Sequence, residues 1–250
     1  MGPAAMKQID LNCDVGEGAG HDAELMPFIT SANIACGAHA GNLETMIETV
    51  ELAARHRVMV GAHPGYFDLE NFGRLERDIA PAEAARLVSM QIEQLFEVAG
   101  SRLRHVKLHG ALYHQVSRDP RLADAVVADL VRLWPDLILY ALAGSTLARM
   151  ASERGLRVAE EVFADRTYQR DGSLTARSEP GAQVPSDDAM VLQVLTMVRQ
   201  GFVRAVDGTP VAVTAETVCL HGDAEGAVAR AERLRKELAM GGVTVRAFGT

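Results

Sequence analysis

The chain is poor in cysteine. Its 250 residues include three, Cys13, Cys36 and Cys219. Their number is odd, their spacing is wide and no CxxC pair occurs, so neither a disulfide framework nor a zinc ribbon is indicated. A reducing compartment is the simplest setting, and a cytoplasmic protein is expected. Each cysteine neighbours an apolar strand interior and reads as a packing residue rather than a nucleophile.

Long apolar runs are also missing. None approaches the roughly 18 residues that a membrane span requires, and the N-terminus lacks the charged-then-apolar pattern of a secretion signal. Met1–Ala5 reads as an appended remnant ahead of a natural start at Met6. There is no run of Lys and Arg, and the formal net charge is -8. Nucleic acid is therefore not an expected partner. Neither GxGxxG nor GxxxxGK[ST] occurs, which removes the two common phosphate-cradling glycine loops. HExxH is absent too.

What is present is an alternation of short apolar runs with helical patterns. Strands are expected at Gln8–Cys13, Ser31–Cys36, Val58–Ala62, Arg104–Leu108, Leu137–Ala141, Leu156–Glu161 and Glu216–Leu220. Between them, Leu43, Met46, Ile47 and Val50 show helical spacing behind an Asn42 cap. Further helices run from Pro81 to Gly100, from Asp119-Pro120 to Trp134-Pro135, from Ser145 to Gly155, from Ser186 to Gly201 and from Asp223 to about Gly241. Strand and helix in repeated alternation argue for a parallel sheet with helical crossovers. Without a nucleotide fingerprint, a closed (β/α) barrel is preferred to an open sheet. Residues 6–250 are expected to form a single domain. Two long loops, Tyr66–Ala80 and Phe163–Pro185, have the length of functional loops, and Val203–Val213 reads as a hairpin turning at Asp207-Gly208.

The strand ends carry the chemistry. Asp10, Asn12 and Asp14 alternate with Ile9, Leu11 and Cys13, so the polar set faces inward if the apolar set packs on helices. The same alternation runs through His105, Lys107 and His109, and through Thr217, Cys219, His221 and Asp223. Four of the eight histidines, His39, His63, His109 and His221, stand at or just past a strand end beside a glycine or an Ala-Pro turn. Residues at the carboxyl ends of several barrel strands converge on one site. Asp14, Lys107 and Glu160 are expected in the same layer. His21, His56, His105 and His114 are read as ordinary polar residues, with His114 able to line the rim.

These strings resemble the LamB/YcsF family: Asp10–Glu17 (DLNCDVGE), Asn33–Gly41 (NIACGAHAG), Gly61–Asp68 (GAHPGYFD), Phe72–Arg74 (FGR), Val106–His114 (VKLHGALYH), Glu161–Ala182 and Cys219–Asp223 (CLHGD). The likeness runs over nearly the whole chain. Departures from the family pattern stand at Ala38, Asn42, Leu108 and His114. The resemblance implies a TIM-like barrel of the glycoside hydrolase/deacetylase type, irregular or seven-stranded. It also implies ATP-dependent opening of 5-oxo-L-proline (pyroglutamate) to L-glutamate as part of 5-oxoprolinase, with partner subunits B and C.

On that reading Asp14, Glu17, His39, His63, Lys107, His109 and His221 are the candidate catalytic residues. Asp14 or Glu17 activates water, a histidine shares the proton work, and Lys107 stabilises developing negative charge. Asn12, Tyr66, Arg74, Tyr113, Glu160, Asp165, Arg166 and Arg177 are the candidate substrate-binding residues. One of the arginines holds the substrate carboxylate, and the tyrosines close the pocket. ATP enters through the multi-subunit enzyme. A divalent metal is admitted, with Asp14, His39, His63 and His109 as its donors. A homo-oligomer is left open. The competing readings are a stand-alone metal-dependent deacetylase or amidohydrolase, and a non-catalytic subunit that binds a lactam or carbohydrate.

Overall fold

A computed structural model describes residues 7–222 and 226–250. The remnant expected at Met1–Ala5, and Asp223 as the start of the last helix, lie outside the described residues. In chain order the elements are β1 (Lys7–Val15), α1 (Asp22–Leu25), β2 (Ser31–Ala35), α2 (Leu43–His56), β3 (Met59–His63), α3 (Pro81–Ala99), β4 (Leu103–Lys107), α4 (Gly110–Arg118), α5 (Pro120–Leu133), β5 (Ile138–Leu142), α6 (Thr146–Glu153), β6 (Arg157–Phe163), α7 (Asp187–Gln200), β7 (Phe202–Arg204), β8 (Pro210–Ala212), β9 (Thr217–Leu220), α8 (Ala227–Met240) and β10 (Val243–Val245).

Strands β1 to β6 pair in sequence order, all parallel, β9 follows β6, and β9 also pairs with β1. The result is a closed seven-stranded parallel barrel with flanking helices. β1 changes partner along its length. Lys7–Ile9 pair with β10, and Asp10–Cys13 pair with β9. β7 and β8 form the expected antiparallel hairpin, with Gly208 at φ +83 in its turn.

Local chemistry explains the boundaries. Asn42 Oδ1 accepts from Thr45 N–H at 2.9 Å and starts α2. Asp119, Ser145 and Ser186 cap α5, α6 and α7 in the same way. Each cap contributes about 1 kcal/mol. Proline stands in the first turn of α3 and of α5, where its missing N–H costs nothing. Among the described residues no helix is long and apolar enough to cross a membrane.

The alternation of β1 divides the barrel wall. Ile9, Leu11, Cys13 and Val15 are buried in the main hydrophobic core. Asp10, Asn12 and Asp14 are buried too, but within a polar network inside the barrel. The amino-terminal end of the interior is closed by a separate apolar cluster of Met59, Ile138, Tyr140 and Ala159, with Ala247 and Phe248 against it. Above that plug the His105 ring stacks on Tyr140 with centroids 4.2 Å apart.

That ring fits only because Gly61 lies beside it. A Cβ on Gly61 would stand 2.1 Å from His105 Nε2. Gly61→Ala is expected to lower stability by about 3 kcal/mol, the upper range for overpacking a filled interior. Gly155→Ala has open space around it, with φ +83, and is expected to cost only the backbone strain of about 1–2 kcal/mol. Urea unfolding of both variants checks the contrast, and equal losses would contradict the packing account.

Candidate functional site

The Lys107 ammonium lies at the centre of the interior. Its Nζ donates to Asp14 Oδ1 at 2.7 Å, lies 3.3 Å from Glu161 Oε1 and is 3.1 Å from Cys219 Sγ. Burial opposes its charge, but the Asp14 and Glu161 carboxylates hold its pKa well above the ordinary lysine value. Burial likewise opposes the Asp14 carboxylate, yet His63 and Lys107 hold that group well below the usual range. Both groups stay ionised at neutral pH. The Cys219 thiol is pushed up by burial and stays neutral.

Around this pair every amide is used. Asn33 Nδ2 donates to Asp14 Oδ1 and to Asn12 Oδ1, both at 2.8 Å. Asn12 Nδ2 donates to Glu161 Oε1 at 2.9 Å and to Thr217 Oγ1 at 2.7 Å. Tyr113, brought in by α4, donates its hydroxyl to Glu161 Oε2 at 2.8 Å. Below them Asp10 accepts from the hydroxyls of Thr30, Ser31 and Thr217.

Three histidines gather on one side of the mouth. His63 Nε2 lies 3.3 Å from Asp14 Oδ2 and 3.0 Å from His109 Nδ1. His39 stacks on His109, centroids 3.6 Å apart and planes 2° from parallel, and its Nε2 is 3.0 Å from Glu17 Oε1. Burial pushes His39 down to about 3 and His109 well below its ordinary value. Glycines make this crowding possible. A Cβ on Gly65 would meet His39 Nδ1 at 2.7 Å, and one on Gly73 would meet His39 Cβ at 2.9 Å. Phe72 takes φ +55, unusual for a bulky residue, and its carbonyl accepts from His109 Nε2 at 2.9 Å.

On the opposite side His221 Nδ1 meets both oxygens of Asp165, at 3.0 and 2.9 Å. Burial would raise the Asp165 carboxyl, but His221 holds it below its ordinary value. Such a pairing fixes the ring and directs Nε2 away from the carboxylate.

The open mouth is a pocket lined by Asp14, Glu17, His63, Arg74, Lys107, His109, Tyr113, Arg166, Arg177 and His221, with His114, Phe163 and Leu174 also in its wall. Asn12, His39 and Asp165 stand behind that surface and hold its members. Two expected residues lie elsewhere. Glu160 points to the outer side of β6, where it accepts from Gly144 N–H at 2.8 Å. Its neighbour Glu161 takes the interior position, because adjacent strand residues face opposite ways. Tyr66 is buried with its hydroxyl on Gln115 Oε1 at 2.7 Å, tying the 66–80 loop to α4. Arg166 donates to the carbonyls of Ala182 and Thr175, so part of its guanidinium orders the 163–185 loop.

Sequence reasoning passed over Glu161, Asn33 and His105. His105 is fully buried inside the barrel with Nε2 2.8 Å from Asn33 Oδ1. Its shared face with Lys107 was the available signal.

Burial, with repulsion from Lys107 and His63, pushes His105 down to about 3. The folded value lies below the unfolded one of 6.5, so the unfolded chain takes up this proton first as pH falls. The ring therefore costs nothing above about pH 6.5 and lowers stability from there down towards 3, by up to about 1.4 kcal/mol per pH unit. His105→Asn is expected to remove one proton's worth of slope below pH 6 in urea-unfolding curves. An unchanged slope would show that the ring titrates normally.

The family model for LamB/YcsF matches residues 9–250. The 5-oxoprolinase A subunit of Shouchella clausii is 49% identical over 250 residues, covering 97% of this chain and 99% of that protein. The crystal structure of a lactam utilization protein from Thermus thermophilus superposes with a TM-score of 0.88 at 42% identity, covering 96% of this chain and all of that one. A family 4 carbohydrate esterase from Streptomyces lividans shares the fold alone, at 12% identity and a TM-score of 0.50 over 97% of this chain and 93% of that one. Spanned almost end to end by that model, the chain belongs to the LamB/YcsF family.

Proposed function

We propose that this chain is the A subunit of a cytoplasmic ATP-dependent 5-oxoprolinase, acting with B and C subunits to open 5-oxo-L-proline to L-glutamate. The near-full-length likeness to a protein bearing that name carries the reading. The pocket chemistry supports it.

A lactam is a resonance-stabilised amide, and the amine released on opening stays tethered and recloses. Coupling to ATP supplies the missing drive. Transfer of the terminal phosphoryl group of ATP to the amide oxygen, with ADP leaving, activates the ring carbon. Water adds there, the carbon–nitrogen bond breaks with a proton delivered to the nitrogen, and a second water hydrolyses the resulting acyl phosphate to glutamate and phosphate. Neither of the two common phosphate-cradling motifs, GxGxxG and GxxxxGK[ST], occurs in this chain, which favours an ATP site at least partly on a partner protein.

The residues divide the work on the ring. Asp14 is locked as a carboxylate by Lys107 and His63, so it anchors charge rather than accepting a proton. The Asp165–His221 pair has the arrangement of a general base, with Nδ1 engaged and Nε2 directed elsewhere. Lys107 stabilises negative charge developing at the ring carbonyl. Arg74 and Arg177, both exposed on the pocket wall, suit the substrate carboxylate.

The test supplies 5-oxoproline and ATP to the purified chain with and without B and C, and measures glutamate. Turnover is expected from the three together. His221→Ala is expected to lower kcat by about 10²–10⁴-fold with a smaller change in KM. Full turnover by B and C alone would overturn the assignment, and turnover by this chain alone would favour a stand-alone hydrolase.

A further inference from the structure

We propose that Glu17, His63 and His109 form a divalent-metal site in the barrel mouth, and that His39 is the residue that positions Glu17. The site does not depend on the 5-oxoprolinase reading, because it rests on donor geometry alone.

The hydrogen bonds on the far side of each ring set the argument. His63 Nδ1 faces the Lys107 carbonyl oxygen at 2.8 Å. A carbonyl only accepts, so Nδ1 carries the hydrogen and the neutral ring leaves Nε2 bare. His109 Nε2 faces the Phe72 carbonyl oxygen at 2.9 Å, so the neutral ring leaves Nδ1 bare. These two bare nitrogens face each other at 3.0 Å. With both rings neutral neither nitrogen donates to the other, so a cation belongs between them. Asp14 Oδ2, 3.3 Å from His63 Nε2, adds negative charge on the same side, and the cation is a metal ion or, in its absence, a proton on Nε2. A carbonyl on the remote nitrogen is also the usual support for a metal-binding imidazole.

The third donor completes the set. Glu17 Oε1 is 3.4 Å from His109 Nδ1 and 3.8 Å from His63 Nε2. Metal–nitrogen bonds of ~2.0–2.1 Å at tetrahedral angles put neighbouring donors ~3.3–3.4 Å apart. The three observed separations bracket that value. The planes of His63 and His109 cross at 88°, so their in-plane lone pairs can meet at one point. All three residues line the pocket, which leaves a remaining coordination position open to a ligand.

His39 is close but cannot share that point. Its ring lies parallel to His109 at 3.6 Å, and lone pairs in parallel planes do not converge. Its Nε2 lies 3.0 Å from the Glu17 oxygen, where an N–H donates to the carboxylate and orients it. Two imidazoles and one carboxylate suit zinc and the other borderline divalent ions better than magnesium or calcium.

The experiment strips the purified chain with a chelator and titrates it with Zn²⁺ against a competing dye. One equivalent per chain is expected, and Co²⁺ in its place should give the visible absorption of a four-coordinate ion. Glu17→Ala, His63→Ala and His109→Ala should each weaken binding more than about 100-fold, beyond the 10–100-fold expected for the supporting residue in His39→Ala. His56→Ala, on the surface, should change nothing. Absence of stoichiometric uptake by the unaltered chain, or unaltered binding in the three donor variants, would overturn the site. Where a variant fails to fold, ¹⁵N spectra of the unaltered chain decide. Zn²⁺ should shift His63 Nε2 and His109 Nδ1, whereas a proton shared between them and indifferent to Zn²⁺ would refute the metal. Glutamate production without metal uptake would sink this site and leave the 5-oxoprolinase reading standing. Metal uptake without glutamate production would do the reverse.

Discussion

A lysine ammonium held between two carboxylates inside a closed barrel sets the terms for the rest of the structure. Removing three ionic groups from water costs several kcal/mol for each. Attraction between Lys107, Asp14 and Glu161 offsets that cost only while their remaining hydrogen-bonding positions are filled. Asn12, Asn33 and Tyr113 fill them, and these residues come from β1, β2 and α4. The ion cluster therefore dictates side chains on elements far apart in the chain. Loss of any one partner leaves a buried charge uncompensated, a more severe fault than loss of an apolar contact.

The apolar shell and the polar interior come from the same period of two. In β1 the odd-numbered positions from Ile9 pack outward on helices, and the even-numbered ones from Asp10 build the network. The barrel stays filled because the interior changes character along its axis. Met59, Ile138 and Phe248 close the amino-terminal end, the His105–Tyr140 stack and the hydroxyl-bound Asp10 follow, and the Lys107 ion cluster lies towards the mouth. Water entering from the mouth reaches the chemistry before it meets the plug.

Much of this was legible in the residues. The seven barrel strands stand within two residues of their expected starts and ends, because each is bounded by turn chemistry and carries an unambiguous apolar face. Asn42, Asp119, Ser145 and Ser186 cap the helices they were expected to cap. The failures have physical causes. Glu160 and Glu161 are adjacent, and the alternation alone does not say which of two equal side chains faces inward; pairing of Glu161 with Thr217 of β9 does. His105 was set apart from Lys107 and His109 although all three share one face, because its distance from the mouth depends on barrel depth, which the chain pattern does not record. Tyr66 is expected to close the pocket, yet Gln115 draws its hydroxyl aside. Short α4 was passed over because its first residue follows His109 directly, without a separate capping signal.

The unusual backbone at Phe72 links loop shape to proton position. Its carbonyl is what keeps the His109 hydrogen on Nε2, and that carbonyl points inward only while residue 72 stays in the left-handed region, held by Gly73 and by the close approach of Gly110 to the Gly73 oxygen. Relaxing residue 72 out of the left-handed region would turn that carbonyl and withdraw the acceptor. The imidazole would then be free to exchange tautomers, and its pocket-facing nitrogen would change from lone-pair bearer to hydrogen bearer. Backbone shape and proton position are thus set by the same peptide bond.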